Sequence, residues 1–247
     1  MVQQNKWFSF FPNLITTFNL LSGVTGIYFA LNGNIKTAVI LMFAGAFFDF
    51  FDGFAARWLK VSGELGKQLD SLADVNTFGV LPGAIMFSIQ RHLIPDFAFS
   101  NLSVLEWGYI LSPLLIPVFS ALRLAKFNID SRQTQSFIGL PTPANALLVA
   151  SVAWTIIHHP GFYPCWFACP LSVSILTIIF SALLVSEIPM FSLKFSSLHF
   201  KENIIRYIFL LCALTLIVFI QIPGISLAII LYVALSIIQS STKRKSV

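Results

Sequence analysis

Four aspartates, Asp49, Asp52, Asp70 and Asp74, fall within 26 positions of a chain that holds only ten acidic residues. All four lie in apolar stretches, and Phe47, Phe48, Phe50, Phe51 and Phe54 surround the first pair. On insertion scales an aspartate at the centre of a membrane helix costs about 2.5–3.5 kcal/mol, less near the interface. Four together demand compensation. Asp49 and Asp52 are three apart and Asp70 and Asp74 four apart, so each pair lies on one face of a helix. The connecting segment, 57–66, is short and contains Gly63 and Gly66. The two helices are therefore expected to be antiparallel neighbours on which the four carboxylates converge. A cluster of like charges repels itself unless cations sit inside it. Four carboxylates balance two divalent ions, and hard oxygen donors suit Mg²⁺ or Mn²⁺. Ions that retain open positions also bind substrate phosphates. Gly53 and Ala56 leave room beside the carboxylates, and Arg57 adds a planar donor fork matched to phosphate. The chemistry is that of a two-metal, phosphate-binding site at the level of lipid headgroups.

The elements that must hold such a site follow from composition. Of 247 residues, 57% are hydrophobic and 10% charged, against about 25% charged in soluble domains. That balance excludes a soluble enzyme, a nucleic-acid-binding domain and a disordered tail. The apolar runs also lack the polar–apolar alternation of an outer-membrane barrel. The expected fold is an all-α polytopic membrane helical bundle. Runs of roughly 20 apolar residues predict eight spans, at 14–31, 35–56, 66–90, 104–125, 141–158, 167–187, 204–221 and 225–240. Asn32-Gly33-Asn34, Ser62-Gly63, Pro95, Pro141-Thr142-Pro143, His159-Pro160-Gly161, Pro189 and Pro223-Gly224 separate most of them. Pro12-Asn13 interrupts the first apolar run early, and no small-x-small cleavage site follows, so the first helix is expected to be retained. Three cysteines, Cys165, Cys169 and Cys212, give no disulfide framework and no four-ligand zinc site. No internal repeat is visible. One integral-membrane domain over 1–247 is expected, with a catalytic core at about 12–190 and additional helices at about 200–240.

Charge orients the bundle. With the N-terminus cytoplasmic, one side holds Lys6; Arg57, Lys60 and Lys67; Arg123, Lys126 and Arg132; Lys194, Lys201 and Arg206; and Lys243, Arg244 and Lys245. The other holds only Lys36 and Arg91. Thirteen of the fifteen basic residues thus share a side, as the positive-inside rule requires. Both termini and the aspartates are then cytoplasmic.

The run Asp49-Phe-Phe-Asp52-Gly53-Phe-Ala-Ala56-Arg57, followed by Gly66, Asp70 and Asp74 at set spacings, resembles the signature of the CDP-alcohol phosphatidyltransferase family. Arg123-Leu-Ala-Lys126-Phe-Asn128, Gly139-Leu-Pro141-Thr-Pro143 and Pro12-Asn13-Leu-Ile-Thr16-Thr-Phe-Asn19 are similar to the integral-membrane phosphatidylserine synthase branch. Lys126 departs from that branch, where Arg is common, and a point charge replaces a planar fork.

The resemblance implies a six-helix catalytic core, two divalent metals, Mg²⁺ or Mn²⁺, and a homodimer. It also implies transfer of a phosphatidyl group from CDP-diacylglycerol to the hydroxyl of L-serine, releasing CMP. On that reading Asp49, Asp52 and Asp70 are metal ligands, and Asp74 is general base and a possible further ligand. Gly53, Ala56, Arg57 and Gly66 line the CDP-lipid pocket, with Asn13 and Thr16 from the first helix. Arg123, Lys126 and Asn128 bind the acceptor. Other acceptors stay open: inositol or its phosphate, glycerol phosphate or choline. A membrane prenyltransferase and a cation transporter are the readings outside the family; adjacent motifs disfavour the first, and carboxylates gathered at one face disfavour the second.

Overall fold

The computed structural model describes residues 6–61, 63–130, 137–159, 161–191 and 200–244. Ser62, Arg132, Pro160, Lys194 and Lys245, named above, lie outside them. Helices α1 (Lys6–Leu31) and α2 (Ile35–Trp58) form an antiparallel hairpin. Its turn is tight because Gly33 adopts φ +80°, a conformation that favours glycine. The Asn34 side chain then accepts from the Thr37 N–H at 3.1 Å and caps α2.

The third rod runs from α3 (Glu64–Val75) to α4 (Leu81–Leu93), joined by a π-helical turn at Asn76–Val80. Pro82, at the start of α4, has no N–H to give to the Phe78 carbonyl. Its ring crowds that carbonyl, so the helix widens there. The fourth rod joins α5 (Val104–Leu111) to α6 (Leu115–Ile129) through a 3₁₀ turn at Ser112–Leu114 that contains Pro113. Ser103 and Glu106 cap its start reciprocally. Helices α7 (Thr142–His158) and α8 (Pro170–Val185) complete the first six rods, and α9 (Phe200–Ile220) and α10 (Ile222–Arg244) follow. Two short strands, β1 (Phe137–Ile138) and β2 (Pro189–Met190), pair antiparallel, with Phe137 opposite Met190.

Among the described residues eight helical rods fall on the eight expected stretches, but only six of them are long and apolar enough to cross a membrane. Helices α7 and α8 are apolar but have only 17 and 16 residues, short of the usual ~20. The first rod corrects the expected boundary. It starts by Lys6, and Pro12 stands inside it. Pro12 lacks the N–H that would reach the Phe8 carbonyl, so the helix carries it at the loss of one backbone bond.

Burial follows the logic of a lipid solvent. Phe47, Phe50 and Phe54 on α2 and Leu214, Val218 and Phe219 on α9 are exposed. The interior holds Met42, Phe78, Leu81, Ile85, Met86 and Val149 together with polar Ser, Thr and Asn side chains. Small residues let the backbones approach. A Cβ on Gly45 would meet Thr77 Cγ2 at 2.5 Å, and one on Gly23 would collide with Thr77 Oγ1. The π turn is therefore wedged against α1 and α2.

Candidate active site

The second half of α2 and the last two turns of α3 bring the aspartates together. Asp49, Asp70 and Asp74 each place one carboxylate oxygen within 4.8 Å of the others. The carboxyls of Asp49 and Asp74 lie within hydrogen-bonding reach of each other. Asn19 of α1 donates its amide N–H to Asp74 Oδ1 at 3.4 Å. Asn19 is fully buried and is held in turn by the π turn. Thr77 Oγ1 donates to the Asn19 carbonyl at 3.1 Å, and Asn76 Nδ2 donates to the Leu20 carbonyl at 3.3 Å. The irregular turn just beyond Asp74 thereby ties the third rod to the first.

Asp52 stands apart from the triad. Its carboxyl lies beside the Thr16 hydroxyl and within electrostatic range of Asp49 and Asp70. The residue is 5% exposed, and its Oδ2 has no hydrogen-bond partner. A buried carboxylate oxygen without a donor is costly. The three converging oxygens form a hard-oxygen donor set suited to a divalent cation, and the orphaned Asp52 oxygen lies within electrostatic range of two of them. The residues fit a metal.

Beside this set lies a cavity of about 330 Å³. Asn13, Thr16, Gly53, Ala56 and Gly66, expected to form the CDP-lipid pocket, all line it, together with Asp52 and Asp70. A Cβ on Gly53 would meet nothing within 4 Å, so that glycine opens onto free space. A Cβ on Gly66 would sit 2.9 Å from Asn13 Oδ1, so its bareness lets α3 approach α1. Arg57 is exposed and does not line the cavity. Lys67 does. Sequence reasoning counted Lys67 only among the basic residues of one side, although its place next to Gly66 was a usable signal.

The three acceptor candidates on α6 separate. Arg123 is 6% exposed, and its Nε and Nη2 have no partner. Lys126 Nζ instead pairs with Glu187 Oε1 at 2.7 Å near the surface. Asn128 is exposed and donates to Ser71 Oγ at 3.1 Å. That bond and the packing of Ser120 Cβ 3.0 Å from a Cβ at Gly79 fix the antiparallel register of α6 along the third rod. In it Arg123 comes level with Asn76, and Asp74 with Ala125. The Arg123 backbone thus lies within about one turn of Asp74 along the third rod.

A helical membrane protein with a carboxylate cluster and an adjoining cavity at one end of its bundle defines the class: an integral-membrane protein with a site suited to a divalent metal. The comparisons place the chain within that class. Residues 9–186 match the CDP-alcohol phosphatidyltransferase family, and the chain belongs to this family. The match takes in the first six rods and ends before α9 and α10. Over 147 residues the chain is 35% identical to a CDP-diacylglycerol–serine O-phosphatidyltransferase of Bacillus subtilis (strain 168), covering 60% of this chain and 77% of that one. It is 33% identical over 193 residues to an archaetidylserine synthase of Methanothermobacter thermautotrophicus, covering 76% and 73%. A CDP-diacylglycerol–serine O-phosphatidyltransferase of Mycobacterium leprae is 33% identical over 188 residues, covering 72% of this chain and 57% of that protein.

Proposed function

We propose that the protein transfers a phosphatidyl group from CDP-diacylglycerol to L-serine, giving phosphatidylserine and CMP. The observation that carries the reading is the convergence of Asp49, Asp70 and Asp74 beside a cavity lined by Asn13, Thr16, Gly53, Ala56 and Gly66. Relatives whose names differ in the lipid half, phosphatidyl or archaetidyl, share serine in the other, which supports serine as acceptor.

Asp49, Asp52 and Asp70 would hold divalent metal, with Asp74 as a further ligand; four carboxylates match the charge of two ions. Bound there, Mg²⁺ or Mn²⁺ supplies neutralisation of the charge that gathers on the pyrophosphate and on departing CMP. The chain does the rest. Gly53 leaves the cavity wall bare so that the diphosphate can approach the helix backbone, and Gly66 lets α3 close on α1 beside it. Lys67 adds positive charge on the wall, and Arg57, next to Ala56, adds it on the exposed surface outside. Asp74, oriented by Asn19, takes the proton of the serine hydroxyl as that oxygen bonds to the lipid-side phosphorus. The bond from that phosphorus to the bridging oxygen breaks, and CMP leaves with the electron pair. Arg123, buried and without a carboxylate partner among the described residues, binds the serine carboxylate. Lys126 and Asn128 border the same helix end and steer the acceptor inward. The aspartates face the cytoplasm, where water-soluble serine and CMP exchange.

The test is CMP release by the full chain in detergent micelles with CDP-diacylglycerol, with and without metal, in the presence of serine, inositol, glycerol phosphate or choline. Release that depends on both serine and Mg²⁺ or Mn²⁺ is expected. Release driven by another alcohol but not by serine would overturn the acceptor, and metal-independent release would overturn the role of the aspartates.

A further inference from the structure

The end of the bundle away from the aspartates carries a second cavity, of about 660 Å³. The α1–α2 turn and the last turns of α4 and α7 frame it. Lys36 at its rim and Asp52 stand on the same helix sixteen residues apart, about 24 Å at 1.5 Å per residue. A depth close to that of the hydrocarbon layer separates the two sites.

Lys36 and Arg91 both line this cavity, with His92 and His158 beside them. They are the two basic residues that the order of spans leaves on this side, against thirteen on the other. They arrive from different helices, 55 positions apart, and share one cavity. Among the described residues no carboxylate lines it. Two cations on one cavity wall repel each other, and an anion between them turns that repulsion into attraction. The walls are held in place. Arg91 Nη1 donates to the Leu31 carbonyl at 3.1 Å, and its guanidinium lies 5.4 Å from the centre of the Phe97 ring. The His158 ring stacks on Trp154, and its Nδ1 lies 3.1 Å from the Trp154 carbonyl.

A guanidinium fork beside an ammonium matches the oxygens of a phosphate. The cavity is larger than a free ion requires, and it opens at the depth of the headgroups of the far leaflet. A choline or ethanolamine headgroup would bring a third cation among the first two. We propose that this cavity binds the phosphate of an amine-free anionic phospholipid from the leaflet opposite the active site.

The experiment is native mass spectrometry of the full chain released from micelles that contain phosphatidylglycerol or phosphatidylcholine. Phosphatidylglycerol should be retained severalfold better by the unmodified chain. Lys36→Gln should lower that retention roughly fivefold, the effect of one cation near an anionic lipid surface, and Lys36→Arg should keep it. Lys36 is exposed and distant from the aspartates, so CMP release by both variants should remain and reports correct folding. Equal retention of the two lipids, or retention unchanged in both Lys36→Gln and Arg91→Gln, overturns the proposal. Displacement of the lipid by millimolar inorganic phosphate would keep the phosphate chemistry but overturn the lipid as its source.

Discussion

Asp74 and Arg123 lie within about a turn of each other along the bundle but in different surroundings, and the difference sets what each substitution should do. Asp74 shares its carboxyl with Asp49 and receives a hydrogen bond from Asn19. Asp74→Asn keeps the shape and the Asn19 contact but cannot take a proton. CDP-diacylglycerol binding should survive while turnover falls about 10²-fold or more, the usual contribution of a general base; a binding assay run beside CMP release checks both halves. Full turnover would remove Asp74 from that role. Arg123 is a buried cation whose Nε and Nη2 bond to nothing, so its removal relieves an uncompensated charge and does not break a pair. Arg123→Ala should therefore leave the melting temperature unchanged or raised, while the KM for serine rises about tenfold or more and that for CDP-diacylglycerol changes little. An equal rise in both constants would assign Arg123 to phosphate. The aspartates were legible in the sequence because charges in apolar helices are too costly to be incidental. Asn19 was marked only as part of a resembling stretch, and its part in orienting Asp74, like that of Thr77 in the turn behind it, was not legible. Neutral polar side chains are common in membrane helices, and nothing in their spacing distinguishes a pair that meets across 58 positions.

At the scale of elements, two glycines of α2 separate packing from binding. Gly45 faces the π turn, where a Cβ would come 2.5 Å from Thr77 Cγ2 and 3.1 Å from Asn19 Oδ1. Gly53, two turns on, faces open space in the cavity. Gly45→Ala should destabilise the protein by about 1–3 kcal/mol, as overpacking does. By displacing Asn19 it should also slow turnover. Gly53→Val should leave the melting temperature nearly unchanged and raise the KM for CDP-diacylglycerol severalfold, because the added methyl groups fill the cavity. Thermal melts and steady-state kinetics on the two variants check the contrast; the reverse pattern would place the lipid elsewhere. The rods themselves were legible, since each of the eight expected stretches is one helix or two helices in line. The interruptions were not. Pro82 and Pro113 announce a break but not its kind, and whether a helix widens to a π turn or tightens to a 3₁₀ turn depends on the neighbour that takes up the freed groups. The short pairing of β1 with β2 was equally hidden, because two-residue strands leave no periodicity to read.

For the whole molecule the open quantity is how many rods cross the membrane. Six satisfy the length criterion among the described residues, and α7 and α8 are short. Both are nevertheless lodged in the interior: Ala146, Val149, Ala150 and Ala153 of α7 and Val173 and Phe180 of α8 are buried, and Gln90 of α4 donates to Ser174 of α8 at 2.9 Å. A short helix shielded by its neighbours needs less apolar length than one bathed in lipid, because the surrounding rods and local thinning cover its ends. Eight crossings then set Lys6 and Lys243 on one side, with the aspartates, and leave Lys36 and Arg91 on the other. Were α7 and α8 instead a re-entrant pair, α9 and α10 would still form an antiparallel hairpin and return the chain to the same side. Reporters at the two ends alone would not distinguish the cases, so the informative position is the segment between α7 and α8. A cysteine placed at Gly161, where a Cβ meets nothing within 4 Å, in a background with Cys165, Cys169 and Cys212 replaced, should react with a membrane-impermeant maleimide added from outside intact cells. A cysteine at Gly63, next to the aspartates, should react only after the cells are opened. Labelling of Gly161→Cys from the cytoplasmic side alone would reduce the crossings to six. It would also conflict with the placement of the last turn of α7 in one cavity with Lys36 and Arg91.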